Sequence, residues 1–388
     1  LLIGRYDGEI LLNQQEVMEY KLIGIDKLQQ EINEYPGKYA PWLKFALKKY
    51  SECRKEKRGL KKNQYQLRLK YFKILKETSR LIDPYVRNFI KTHVKLSNEL
   101  KNLILKRFRF GKAKLRPAQI RLAYELVGGD HWTKIIPACA AIEVSDTSYY
   151  CADDVFDEAV KSKGMYIVGN VLSSMSHSMM TEVAPLVKKE GFQEIMKTLS
   201  KLDTDIYQGF YIDLNMTGKT DERYYMKKAY LYNYWEHILK IGAILGDATS
   251  DEVTKIAEIG KNIGIAYTIA NDTCDFGKPK CGDFALGKRT LPTLFAIKNA
   301  TTDDKKILEI LIGKGIFTKE EIDKIRKIMI RSGAIDYGKS KAAEYCKIAL
   351  DILDTFPNSE AKELLKFSTT MTQRNRYYDV LEKYKYRR

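Results

Sequence analysis

Residues 149 to 160 read YYCADDVFDEAV and gather three carboxylates, Asp153, Asp154 and Asp157, at the end of an apolar and aromatic run. Asp153 and Asp157 stand four positions apart, so on a helix they share one face and can grip a cation or a close pair of cations. Like charges at the end of a buried run repel each other and resist desolvation, which makes such a site costly without cations. Oxygen-only ligands at this spacing suit Mg²⁺, which keeps part of its water shell and bridges to phosphate oxygens. Taken alone, the same spacing also suits a solvated helix face.

A second cluster sharpens the reading. Residues 264 to 293, GIAYTIANDTCDFGKPKCGDFALGKRTLPT, form an apolar helix that ends in Asn271, Asp272 and Asp275, followed by Lys278, Asp283, Lys288 and Arg289. Two acidic helix ends facing each other would hold a Mg²⁺ cluster, and the lysines just beyond the second could reach a diphosphate bound to it.

The elements that must position these residues read as helices. Strand signals are nearly absent, and apolar residues recur at three and four spacing through long segments. Residues 14 to 34, 38 to 60, 62 to 82 and 84 to 108 read as successive amphipathic helices, with breaks at the PG of position 36 and the DP of position 83. About twenty Lys and Arg fall between residues 41 and 110, most simply as solvated helix faces. From Gly111 the texture turns apolar and small, in GKAKLRPAQIRLAYELVGGD and PACAAIEVSDTSYYCADDVFDE, as core helices require. The expected organisation is an all-α chain, single-domain overall, with residues 1–100 a helical extension packed on a core of residues 101–388.

Bulk composition bounds the function. The 388 residues carry a formal net charge of +17, which attracts anions without choosing among nucleic acid, membrane surface and polyphosphate. No nucleic-acid motif accompanies the charge, so no specific nucleic-acid partner is expected. Six cysteines without a paired spacing argue for a reducing, cytoplasmic setting, and four histidines argue against zinc. No apolar run reaches the roughly 18 residues of a spanning helix.

The motifs DDVFD at 153 to 157, NDTCD at 271 to 275 and GKPKCGDFALGKRTLP at 277 to 292 resemble the two aspartate-rich motifs and lysine loop of the trans-isoprenyl diphosphate synthases. GKAKLRP at 111 to 117, GFYIDL at 209 to 214 and GAILGD at 242 to 247 fit further landmarks in the same order. The resemblance implies an isoprenoid-synthase-type helical bundle with a central cavity between the acidic motifs, and a homodimer. It implies metal ligation by Asp153, Asp154, Asp157, Asn271, Asp272 and Asp275, with three Mg²⁺ ions for which Mn²⁺ can substitute. The substrate implied is an allylic prenyl diphosphate, whose ionisation calls on Asp153, Asp157, Lys278 and Lys288. Substrate contacts are expected from Arg116, Lys163, Tyr267, Arg289 and Arg376. Tyr149 and Tyr150, about one turn before Asp153, are candidates for the cavity wall, with plain core packing as the alternative.

Several positions depart from that family. Ala113 and Asp146 stand where a lysine and a histidine or glutamine serve the second diphosphate, and Ser162 and Lys163 replace an arginine pair. Tyr230 and Leu231 replace a lysine and threonine, and Tyr267 and Thr268 a Phe-Gln pair. Asn271 and the Arg376–Tyr377 pair are closer to terpene cyclases, although Pro279 breaks the cyclase triad. These departures favour a terpene synthase that ionises one allylic diphosphate and cyclises it. The alternative is a prenyltransferase that joins it to isopentenyl diphosphate or another acceptor. A regulatory subunit without chemistry is disfavoured by the intact DDVFD.

Overall fold

The computed structural model describes residues 24–39, 43, 47, 62–92, 95–108, 110–156, 163–218, 220–232, 234–371 and 381. Asp157, Ser162, Arg376 and Tyr377, the side chain of Lys163, and nearly all of the helix expected over 38 to 60 lie outside the described residues. Every described regular element is helical, α or 3₁₀, which makes the protein all-α as the periodicity predicts. Contacts divide the chain into two compact units, Leu1–Gln66 and Leu67–Arg388.

The first unit holds α1 (Ile25–Glu34), ended at Tyr35 and Pro36 by a 3₁₀ turn over Pro36–Lys38, so the PG break stands where the sequence puts it. Leu28, Ile32, Leu43 and Leu47 bury together there with Tyr39 against them.

The DP break does not occur. Helix α2 (Lys62–Thr92) runs 31 residues straight through Pro84. Proline removes one ladder bond and crowds the preceding turn, yet Ile82 and Val86 on either side are wholly buried, and packing of that face outweighs the defect. Pro84 itself is exposed, so its ring adds little to the core. Pro84→Ala is therefore expected to raise stability by about 1–3 kcal/mol, less the unfolded-chain advantage of proline of under about 1 kcal/mol. A higher urea midpoint at unchanged slope checks it; an unchanged or lower midpoint would show that the ring is tolerated without cost.

Beyond it follow α3 (Asn98–Arg107), α4 (Leu115–Leu126), α5 (Ile136–Phe156), α6 (Lys163–Thr181), α7 (Lys189–Leu214), α8 (Glu222–Leu231), α9 (Trp235–Leu245) and α10 (Ser250–Asp275). The chain continues through the single turn α11 (Gly282–Ala285), then α12 (Leu291–Asn299), α13 (Thr302–Leu311), α14 (Lys319–Arg331), α15 (Ala334–Asp354) and α16 (Glu360–Met371). Helix α5 is buried along most of its length because Ala138, Cys139, Ala140, Ala141 and Ser148 are small enough for neighbours on several sides. Helix α10 starts at a capping box between Thr249 and Glu252, which satisfies its first free N–H groups. Close approach also needs absent side chains. A Cβ on Gly338 of α15 would lie 2.2 Å from the Thr273 hydroxyl of α10, and one on Gly242 of α9 would lie 2.5 Å from the Ile120 carbonyl of α4. The first of these contacts sets α10, which carries the second acidic cluster, against α15.

Among the described residues no helix is long and apolar enough to cross a membrane. Cys139, Cys151, Cys274, Cys281 and Cys346 are free thiols, all buried.

Candidate functional site

Asp153 lies in the last turn of α5, and Asp272 and Asp275 lie in the last turn of α10. Helix C-termini carry partial negative charge, so both clusters add carboxylates to poles that are already negative. Asp153, Asn271 and Asp272 line one cavity of about 300 Å³, together with Asp213, Asp283, Arg116, Lys228 and Lys288. Apart from Thr268, the rest of its wall is aromatic: Tyr149, Tyr150, Phe210, Tyr232, Tyr234, Trp235 and Tyr267. Tyr149 and Tyr150 thus face the cavity, although Tyr149 is also packed at 1% exposure.

The charged groups are tied into one network. Lys228 Nζ lies 2.9 Å from Asp213 and 3.3 Å from Asp272, and Lys288 Nζ lies 2.5 Å from the other oxygen of Asp213. Tyr225 donates to Asp272 at 2.9 Å, and Tyr232 donates to Asp153 at 2.9 Å. Burial works against the charge on Lys228, yet Asp213, Asp272 and Asp283 together hold its pKa above the ordinary lysine value. Burial likewise opposes ionisation of Asp213, and the two lysines still keep its pKa below the usual aspartate value. Asp283 goes the other way: burial first, then Asp272 and Asp275, push its carboxyl up to about 8. At Asp283, burial and the two neighbouring carboxylates thus outweigh the attraction of Lys228 and Lys288.

The donors present suit Mg²⁺ by chemistry, being carboxylate oxygens with a surplus of negative charge at two helix ends. Among the described residues no three His, Cys, Asp or Glu side chains converge as a ready metal cage.

Other expected residues stand outside this cavity. Asp154 is paired with Arg107, which also donates to the Tyr150 carbonyl at 3.1 Å. Lys278 lies 3.3 Å from Asp275, which accepts the Asp283 N–H at 3.0 Å. Arg326 donates to the carbonyls of Phe276 and Lys278 at 2.8 and 2.9 Å, holding the loop that leaves α10. Arg289 does not line the cavity, and its backbone N–H is bound to the Met216 carbonyl.

A second cavity of about 630 Å³ adjoins the first and shares Arg116, Tyr150 and Tyr267 with it. Its remaining lining is Arg107, Lys112, Ala113, Leu115, Glu143, Asp146 and Thr147. Asp146, which replaces a family donor, binds Arg116 at 2.8 Å, and the guanidinium lies 4.5 Å from the Tyr234 ring centre. Lys114 does not reach this lining; it is buried 3.0 Å from Glu143 and 3.6 Å from Asp83.

Sequence reasoning missed Lys228 as a site residue. The resemblance points to position 230, where Tyr230 stands, but the buried residues of α8 are Tyr225, Lys228, Ala229 and Leu231, a helical spacing legible in the sequence. Asp213, Tyr232 and Arg107 were also without assigned roles, and only Asp213 lay within a quoted motif.

The Polyprenyl synthetase family model matches residues 97–329. The geranylgeranyl diphosphate synthase of Saccharolobus solfataricus is 25% identical over 316 residues, which span 75% of this chain and 94% of that one. The geranylfarnesyl diphosphate synthase of Aeropyrum pernix is 28% identical over 313 residues, spanning 74% and 96%. Among solved structures, geranylgeranyl pyrophosphate synthetase from Pyrococcus horikoshii superposes with a TM-score of 0.71 at 23% identity, covering 79% of this chain and 98% of that one.

Proposed function

Since the chain belongs to the polyprenyl synthetase family, we propose that it is a trans-prenyltransferase that joins an allylic prenyl diphosphate to isopentenyl diphosphate. The observation that carries this reading is the pair of adjoining cavities with a common wall of Arg116, Tyr150 and Tyr267. A cyclase needs room for one substrate, and a transferase needs two meeting across a short gap. The relatives, which are diphosphate synthases, weigh the same way, so the cyclase expectation drawn from Ala113, Asp146, Ser162 and Tyr230 gives way to the transferase alternative.

In this reading the allylic diphosphate sits among Lys228, Lys288 and the acidic helix ends, with its chain along the aromatic wall. Asp153, Asp157, Asp272 and Asp275 would hold Mg²⁺, with Asn271 and Asp154 as flanking donors. The bound metal would neutralise the leaving diphosphate. Lys228 and Lys288, aligned by Asp213, donate to the same oxygens as the C–O bond breaks and its electron pair leaves with the diphosphate. Tyr149, Phe210, Tyr232, Tyr234 and Trp235 exclude water from the allylic cation and offer it π faces. Lys112 and Arg116 face the second substrate, whose double bond supplies the electrons of the new C–C bond, after which a proton is lost to restore an alkene. A homodimer and a cytoplasmic setting belong to the same proposal.

The test is product analysis with Mg²⁺ and geranyl, farnesyl or geranylgeranyl diphosphate, each with and without isopentenyl diphosphate. A longer diphosphate formed only when both substrates are present is the expected result, abolished by chelation and restored by Mg²⁺ or Mn²⁺. Hydrocarbon or alcohol released from the allylic substrate alone would return the cyclase reading.

A further inference from the structure

Part of the net positive charge is concentrated on one helix. Helix α2 carries eight Lys and Arg against two acids. Leu69, Phe72, Lys73, Lys76, Arg80 and Lys91 fall on one side of it and are all exposed, while Leu75, Ile82, Val86 and Phe89 are buried on the other. From Leu69 to Lys91 this stripe runs about 33 Å along the helix. The two acids of α2 are drawn to partners off the stripe. Glu77 lies 3.2 Å from Arg121 of α4, and Asp83 accepts the Gly111 N–H at 2.6 Å and lies 3.6 Å from Lys114. Lys73 reaches Glu77 at 3.7 Å, an exposed pair of little weight.

The stripe is not purely polar. Leu69 is 48% exposed and Phe72 45%, and the Arg68 guanidinium stands 5.7 Å from the Phe72 ring centre. Cations alone suit any polyanion. Cations beside exposed leucine and phenylalanine suit an anionic bilayer surface, where the apolar ends enter the boundary between headgroups and acyl chains and Lys and Arg reach the phosphates. A second copy of the chain presenting the same face would meet like charge, and a duplex nucleic acid offers phosphates without an apolar seat for Leu69 and Phe72. We propose that the outer face of α2 docks on an anionic lipid surface, with Leu69 and Phe72 inserted and Lys76, Arg80 and Lys91 on the headgroup phosphates. None of these residues lines either cavity, so the inference stands independently of the transferase reading. They also precede residues 97–329, so the family match does not account for them.

The experiment sediments the full chain with vesicles of phosphatidylcholine alone and with vesicles of phosphatidylcholine and phosphatidylserine in equal parts, across a series of NaCl concentrations. Binding to the anionic vesicles only, weakening as salt rises, is the expected result. Lys76→Gln, Arg80→Gln and Lys91→Gln should each lower the partition coefficient about fivefold, and the three together about hundredfold. Leu69→Ser combined with Phe72→Ser should lower it about tenfold, because the inserted apolar surface is lost. These are exposed positions, and an unchanged melting temperature checks that the fold is intact. No binding to the anionic vesicles, or binding that the triple glutamine variant retains, would overturn the proposal. Anionic binding that survives the loss of Leu69 and Phe72, with duplex DNA bound as tightly at the same salt, would overturn the lipid assignment and leave a general polyanion surface. The salt series on the unaltered chain keeps the test decisive if a variant does not fold, since vesicle binding indifferent to salt would also overturn it.

Discussion

Lys228→Ala is expected to lower kcat/KM for the allylic substrate about 10²–10³-fold, the usual loss when one preorganised donor to developing negative charge is removed. Lys228 is 5% exposed and spans Asp213 and Asp272 at 2.9 and 3.3 Å, so it is fixed before substrate arrives and needs no reorganisation as the diphosphate departs. The same substitution deletes a cation from a buried network in which it meets both Asp213 and Asp272. Breaking such a pair costs about 3–5 kcal/mol, because the carboxylates left behind stay desolvated. A depressed melting temperature that added Mg²⁺ partly restores, alongside the kinetic loss, would identify Lys228 as part of the diphosphate site. A lower melting temperature with kcat/KM retained would reduce it to a structural cation. Tyr230, the position indicated by the family pattern, is the comparison: Tyr230→Phe should leave kinetics within about twofold, in keeping with a half-buried side chain outside the cavity lining.

The contrast between residues 228 and 230 shows how the site could be read from the chain and where that reading slipped. Asp153, Asn271, Asp272 and Lys288 reach one cavity because their motifs sit on or beside helix ends, where spacing along the chain and direction in space are tightly coupled. Lys228 lies in the middle of YYMKKAYLY, where aligning landmarks from the following GAILGD carries a two-residue error across a turn. Only the burial face of α8 corrects it. Lys278 and Arg289 follow helix ends too, but on loop segments whose path is set by Arg326 and by the Met216 carbonyl, and no spacing rule encodes those partners. The helical class was legible from periodicity, and the error at Asp83–Pro84 has the same origin as the slip at Lys228. A local rule, that proline ends helices, lost to the burial of Ile82 and Val86, which depends on neighbours distant in sequence.

Asp146 is the departure with the sharpest consequence for the second substrate. It lies 5% exposed in the lining of the second cavity, 2.8 Å from the Arg116 side chain, and spends part of that cation internally. A carboxylate about 4 Å from a bound diphosphate would add repulsion of about 4 kcal/mol per charge at an effective dielectric of 20, offset in part by the same Arg116. Asp146→Asn removes the charge at constant shape and turns one oxygen into a donor, which brings the position closer to the histidine or glutamine of the family pattern. KM for isopentenyl diphosphate is therefore expected to fall about tenfold or more, with KM for the allylic diphosphate changed by less than about threefold. Stability should move the opposite way by about 1–3 kcal/mol, because the buried Arg116 loses its ionic partner and keeps at most a neutral one. That opposition distinguishes a binding effect from general damage, which would raise KM as it lowers the melting temperature. An unchanged KM for isopentenyl diphosphate at a lowered melting temperature would mean that Asp146 serves the fold and that the second substrate's diphosphate binds away from it. A raised KM would mean that Asp146 helps by holding Arg116 in position, and that the acidic side chain is an accommodation in this protein instead of a loss.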